Sequence, residues 1–78
     1  MNNPHAKVLA AAAYKYAVRY RDAGLDTSIM TQDVEDLMSI AQLIEDGAAP
    51  GTVARAMWRL DTAVRDEIPD SVYHHFCK

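Results

Sequence analysis

The chain has 78 residues, of which half are apolar and 24% are charged, and its formal net charge is −3. This length predicts a single domain, residues 1–78, that buries only about 60% of its unfolded surface, and the composition excludes a disordered chain. The net negative charge gives no general attraction to nucleic acid or acidic lipid, and the single cysteine, Cys77, excludes an intrachain disulfide framework.

Targeting and membrane signals are not evident in the sequence. The apolar run at residues 8–14 ends at Lys15, well short of the roughly 20 residues that a membrane span needs. The run is not accompanied by the positively charged N-terminal region and the cleavage site of a secretory signal peptide. A cytoplasmic protein without membrane contact is therefore expected.

A first helix is predicted from Pro4 to Ala23. Asn3 is a favoured N-cap, proline is a favoured first helical residue, and Gly24 followed by Leu25 is typical of a helix end. Apolar residues surround most of this helix, which indicates burial on more than one side. Either it is the central helix, or a homodimer forms along a seam that we predict at Ala10, Ala13, Tyr14 and Val18. The four consecutive alanines, residues 10–13, either let another backbone approach or only raise helix propensity.

Residues 25–30 are predicted to connect this helix to a second one, which Thr31 caps and Gly47 ends. Apolar residues recur there at helical spacing and predict the buried face: Val34, Leu37, Met38, Ala41 and Ile44.

Residues 1–24 carry four Lys or Arg against one Asp, whereas residues 25–52 carry six acidic residues and no Lys or Arg. This segregation favours antiparallel packing of the first two helices with some charge attraction.

The third predicted helix, Pro50 to Ile68, has the most regular period in the chain. Its buried face is predicted to carry Val53, Met57, Leu60, Val64 and Ile68. The only tryptophan, Trp58, points about 140° away from that face at 100° per residue. Pro69 ends the helix, and Asp70 is predicted to cap a short helix over residues 71–77 that folds back through Val72, Tyr73 and Phe76. The predicted fold is thus all-α, a compact three-helix bundle with a short fourth C-terminal helix.

Residues 39–60 contain a second pattern, in which Gly47 is followed five residues later by Thr52-Val53 and then by Arg55. This spacing resembles the helix-turn-helix of lac-repressor-type headpieces. The resemblance implies DNA binding through Thr52, Arg55 and Arg59. The sequence departs from that family at two positions, with Leu43 in place of a small residue and Asp46 in place of an apolar one.

Residue types that bind metals occur near the C-terminus, at His74, His75 and Cys77, but no second donor pair with finger-like spacing precedes them. They are interpreted as exposed polar residues, so no metal or cofactor site is predicted. No nucleophile motif, glycine-rich loop or His–carboxylate arrangement is present, and a chain this small leaves little room for a deep pocket. The sequence therefore predicts a protein that is not an enzyme.

The remaining class is a small acidic helical module that binds another protein by surface contact. Many chains of this size act by occupying a site on a larger protein, as phage-encoded inhibitors and small regulators do. Trp58, flanked by Arg55, Arg59 and Arg65, is the predicted partner-binding patch because Trp and Arg are enriched at binding hot spots. The alternative is that Trp58 lies under the C-terminal helix or against the first helix.

Overall fold

The computed structural model describes the backbone of residues 1–24 and 27–77, and the side chains of these residues except 27–30. Within those ranges the chain forms five α-helices and no strand: α1 (Pro4–Asp22), α2 (Thr27–Glu45), α3 (Pro50–Trp58), α4 (Thr62–Arg65) and α5 (Asp70–Phe76). The radius of gyration is 12.0 Å, close to the value of about 11.5 Å expected for a folded domain of this length. The predicted all-α class is confirmed, and none of the described helices is long and apolar enough to cross a membrane.

Helix α1 begins and ends as its local sequence predicts. The Asn3 side chain accepts hydrogen bonds from the amides of His5 and Ala6, at 2.9 and 3.4 Å, and Pro4 takes the first helical position. Gly24 has φ +70°, a conformation that favours glycine at a helix end. Leu25, the predicted hydrophobic contact of this helix end, lies outside the described residues.

Helix α2 begins at Thr27, five residues before the first helical position predicted after the Thr31 cap. Residues 27–30 are helical, so they do not belong to the connector, and Thr31 lies inside the helix instead of capping it. Thr and Ser favour helix N-termini as well as turns, and no Gly or Pro separates Thr27 from Thr31 to stop the helix. Gly47, with φ +81°, follows the end of the helix as predicted.

The helix predicted from Pro50 to Ile68 is broken into two. Helix α3 ends at Trp58, and Asp61 adopts an extended conformation, φ −59° and ψ 149°, from which α4 begins. The apolar period continues across the break because Val64 and Ile68 return to the same core as Val53. The predicted interior positions are therefore largely correct, whereas the predicted continuity is wrong.

The last helix also starts one residue earlier than expected, since Asp70 is its first residue and Pro69 precedes it. Val72 is fully buried, and Tyr73 and Phe76 pack against the core as predicted.

Met38 is 39% exposed, so it does not belong to the buried face of α2 that was predicted to include it. The core combines residues of all five helices: Ala6, Leu9, Ala13, Leu37, Ile40, Ala41, Ile44, Val53, Met57, Val64, Ile68 and Val72.

Helices α1 and α2 form the most extensive helix pair. They run antiparallel, because Asn3 contacts Glu45 at one end and Tyr16 contacts Asp33 near the other. Near the Gly24 end, the buried Tyr16 donates a hydrogen bond of 2.7 Å to Oδ2 of Asp33. Burial, followed by the neighbouring Tyr20 and Asp33, raises the pKa of the Tyr16 hydroxyl above its ordinary value, which keeps the hydroxyl a donor. At the opposite end, the carboxylate of Glu45 accepts hydrogen bonds from the amides of Asn2 and Asn3, at 2.8 and 2.9 Å.

These two amide bonds make Glu45 a pH-dependent contact between the N-terminus and α2. They lower the pKa of the carboxyl below its ordinary value of 4.5. A carboxyl whose pKa is lower in the folded state stabilises the fold above its unfolded pKa, and this contribution is lost as the pH falls through the folded pKa. We expect Glu45→Gln to lower the free energy of unfolding at neutral pH and to differ less from the wild type below about pH 4.

Urea unfolding at neutral pH and below about pH 4 measures the difference in free energy of unfolding between Glu45→Gln and the wild type. The matched control is Glu35→Gln, an exposed carboxylate on the same helix, which should change stability little at either pH. A Glu45→Gln variant with the same deficit in acid as at neutral pH would contradict the assigned role of the two amides.

Candidate protein-binding surface

Trp58 lies at the end of α3 with 57% of its surface exposed. Val53 and Met57, on the opposite side of the helix, are fully buried. The phase of the helix therefore places the indole outside the core, as the sequence predicted. An exposed indole presents a large apolar area to water, and such a side chain is commonly a binding residue.

Arg65 holds the indole from the side of α4. Its Cζ atom lies 4.4 Å from the centroid of the indole ring, within the range of a cation–π interaction. The guanidinium also donates hydrogen bonds to the Trp58 carbonyl, at 3.5 Å, and to Oγ1 of Thr62, at 3.3 Å. The two hydrogen bonds position the guanidinium beside the ring. A ring that is held in one orientation loses less entropy when a partner binds.

Tyr73 of α5 completes this surface. Its ring meets the indole edge to face, with centroids 6.3 Å apart. Beside it lies a depression of about 190 Å³ whose lining includes Tyr73, Arg65, Asp66 and Asp70. We call Trp58, Arg65 and Tyr73 the Trp58 surface; it has an aromatic centre with charges of both signs at one side. The alternative that Trp58 lies under the C-terminal helix is met only in part, because the indole touches Tyr73 of α5 and yet stays 57% exposed.

The other two arginines of the predicted patch lie apart from the indole. Arg55 is exposed and its Nε atom donates to the carbonyl of Gly51, one turn back on α3. Arg59 lines a separate depression of about 240 Å³ between α2 and α3, together with Asp36. The structure thus brings Arg65 to Trp58 and places Arg55 and Arg59 on adjoining faces.

A larger groove, of about 710 Å³, follows the outward face of α1. Tyr14 is 71% exposed there and Val8 40%. The groove is lined by Val8, Ala11, Ala12, Tyr14, Lys15, Val18, Arg19, Glu67 and Pro69. Arg19 and Glu67, from opposite walls, form an ion pair.

This groove corrects part of the predicted dimer seam. Ala13 is fully buried in the chain's own core, and Ala10 packs against that core. Both alanines face the chain's own core, because they lie about one helical turn apart on the side of α1 that carries Leu9. Tyr14 and Val18 lie in the outer groove, and Ala11 and Ala12 take the place of the two inward alanines.

One of the C-terminal histidines, His75, meets the N-terminal segment, a contact that the sequence did not predict. The rings of His5 and His75 stack with centroids 4.1 Å apart, and Phe76 meets both rings edge on. Cys77 is half-buried and its Sγ lies 3.7 Å from Sδ of Met57; burial raises the pKa of this thiol.

Across residues 1–24 and 31–77, no three His, Cys, Asp or Glu side chains are grouped to hold a metal ion.

The helix-turn-helix resemblance falls on α2 and α3, which a four-residue link joins. Thr52, Arg55 and Arg59 are exposed, and so is Asp46 in the link. Leu43 packs against the core beside this link. Comparisons with protein-family models, with curated proteins and with solved structures find no match to this chain.

Proposed function

We propose that this chain is a small helical protein-binding module that regulates or inhibits a larger protein by surface contact. The observation that carries the proposal is the Trp58 indole, 57% exposed on the side of α3 opposite the core and stacked against Arg65. Trp58 is not one of the residues that form the core. A side chain that the fold does not bury, yet holds in a defined orientation, is suited to an external contact.

The chemistry of the Trp58 surface favours a protein as the partner. An aromatic centre next to charged groups is the usual composition of a protein–protein interface, in which the apolar centre is buried and the polar rim stays hydrated. The rim here carries Arg65 on one side and Asp66 and Asp70 beside Tyr73. We therefore propose a partner with an apolar recess for the indole and both acidic and basic groups at the edge of that recess.

An affinity-capture experiment tests this proposal. The tagged chain serves as bait in an extract of the source organism, and quantitative mass spectrometry compares it with Trp58→Ala and Met38→Ala baits. Met38 is the control because it is also an exposed apolar residue, on α2. We expect a protein that the wild type and Met38→Ala enrich equally and Trp58→Ala fails to enrich. Equal capture by all three baits would contradict the proposal.

Duplex DNA is the alternative partner that the helix-turn-helix resemblance implies, and here a negative result is expected. The chain has a net charge of −3, and Asp46 is exposed in the link before α3. Both features oppose the binding of phosphates, which dominate the affinity of proteins for DNA. Micromolar protein should leave duplex DNA unretarded in an electrophoretic assay at low salt. A retardation that salt weakens and that Arg55→Ala with Arg59→Ala removes would establish the alternative.

A further inference from the structure

We propose that the protein partner of the Trp58 surface presents a carboxylate to Arg65, at the edge of the apolar recess that receives the indole. Because this carboxylate belongs to the same contact, the inference rests on the proposed function and adds the chemistry of the partner. Three observations support it: the position of Arg65 against the ring, the lack of an ion pair to its guanidinium, and the basic outward side of α3.

A recess that encloses the Trp58 indole also reaches Arg65, whose Cζ atom lies 4.4 Å from the centroid of that ring. Arg65 is already half-buried in the free chain. A partner that surrounds the indole therefore removes more water from the guanidinium. A cation that loses its water without gaining an opposite charge opposes binding strongly. A partner with a carboxylate at this point avoids that penalty.

The chain itself does not supply this carboxylate. Within residues 1–24 and 31–77, Arg65 forms no ion pair. Asp66 and Asp70 line the depression beside it and are exposed, but neither pairs with the guanidinium. The two hydrogen bonds of Arg65 go to neutral oxygens, those of the Trp58 carbonyl and the Thr62 hydroxyl. Other N–H donors remain available for a carboxylate, which arginine binds in a bidentate geometry.

The outward side of α3 carries the same charge. At about 100° per residue, Arg55 projects within about 60° of Trp58 and about 40° of Arg59. Both arginines are exposed, and neither forms an ion pair with a side chain that the structure describes. Asp36, which lines a depression with Arg59, instead accepts a hydrogen bond from Gln32. This side therefore attracts an acidic partner, although the whole chain has a net charge of −3.

Selection from a random peptide library at neutral pH tests the inference, with the wild-type chain as bait. Ligands that bind the wild type and not Trp58→Ala should contain an apolar residue and an excess of Asp and Glu over Lys and Arg. Trp58-dependent ligands without this excess would overturn the inference and leave the proposed function in place. A library that yields no Trp58-dependent ligand would overturn both.

A double-mutant cycle on the tightest selected peptide locates the contact. Arg65→Gln in the chain, or replacement of the peptide's acidic residue by its amide, should raise the dissociation constant by about tenfold or more. The two changes together should weaken binding little more than either alone. Equal losses from the peptide change in both chains would mean that Arg65 acts only on the indole, and would overturn the inference. The matched control is Arg21→Gln, an exposed arginine of α1, which should bind as the wild type does.

Phosphate is the other anion that arginines hold, so duplex DNA is added as a competitor for the selected peptide. The surface favours a protein carboxylate, because the exposed Asp66 and Asp70 beside Arg65 repel a polyanion. Micromolar DNA at low salt should leave the peptide bound. Displacement of the peptide by DNA would assign the arginines to phosphates and overturn the inference.

Discussion

Trp58→Ala is expected to reduce the affinity of the chain for its protein partner by about thirtyfold or more. Truncation of a Trp at an interface hot spot costs about 2 kcal/mol or more of binding free energy. The expectation follows from the geometry of the ring, which is 57% exposed and is stacked against Arg65. Calorimetric titration of the captured partner with the wild type and the variant measures the change.

The matched control for this prediction is Met38→Ala, which removes an exposed apolar side chain from α2. It should bind the partner with wild-type affinity, since its helix contributes nothing to the Trp58 surface. Trp58→Phe should lie between the two, because a phenyl ring retains part of the apolar contact and can still stack against Arg65. An unchanged affinity in Trp58→Ala would remove Trp58 from the interface.

The second large effect is expected on stability, from Leu9→Ala. Leu9 is fully buried among the core residues of α1 and its neighbours. Replacement of a buried Leu by Ala costs about 3 to 5 kcal/mol, since a cavity remains where the side chain was. A domain of this length has a total stability of only about 4 to 12 kcal/mol. The variant should therefore unfold at a much lower urea concentration than the wild type, or be unfolded in buffer.

Val8→Ala is the control for Leu9→Ala, because it changes the next residue of the same helix. Val8 is 40% exposed, so its truncation should cost less than about 1 kcal/mol. Urea unfolding followed by circular dichroism compares the free energies of unfolding of the two variants. Equal stability of the two variants would contradict the assignment of Leu9 to the core.

The helix ends were predictable because their chemistry is local. Asn3 accepts from amides two and three residues ahead of it, and Pro4 fits the first turn without needing a donor. Gly24 and Gly47 take positive φ at two helix ends. The start of α2 was not predictable in the same way, since Thr and Ser are suited both to the predicted connector and to the first turn of a helix.

The spacing of the apolar residues gave no indication of the break between α3 and α4. Periodicity reports which residues are buried and does not report whether one helix or two carry them. Val64 and Ile68 reach the core from α4 and from the segment after it, at the spacing that a continuous helix would also require. Asp61 was the available signal, because Asp is a favoured residue immediately before a helix.

The candidate site was predictable only at its centre. The exposure of Trp58 follows from the phase of Val53 and Met57, which lie within five residues of it on α3. The approach of Arg65 depends on the turn at Asp61, and that of Tyr73 depends on the docking of α5. The stack of His5 on His75 joins two residues near opposite ends of the sequence, and no local pattern predicts such a contact.

The stability of Trp58→Ala tests the central claim most directly. That claim is that Trp58 makes the proposed contact with the protein partner and is not needed for the fold. Urea unfolding of the variant, followed by circular dichroism, should show an unchanged helical signal and a loss of no more than about 1.5 kcal/mol, the scale of its exposed contacts with Arg65 and Tyr73. A loss of about 3 to 5 kcal/mol, comparable to that of Leu9→Ala, would make Trp58 an ordinary core residue and contradict the account.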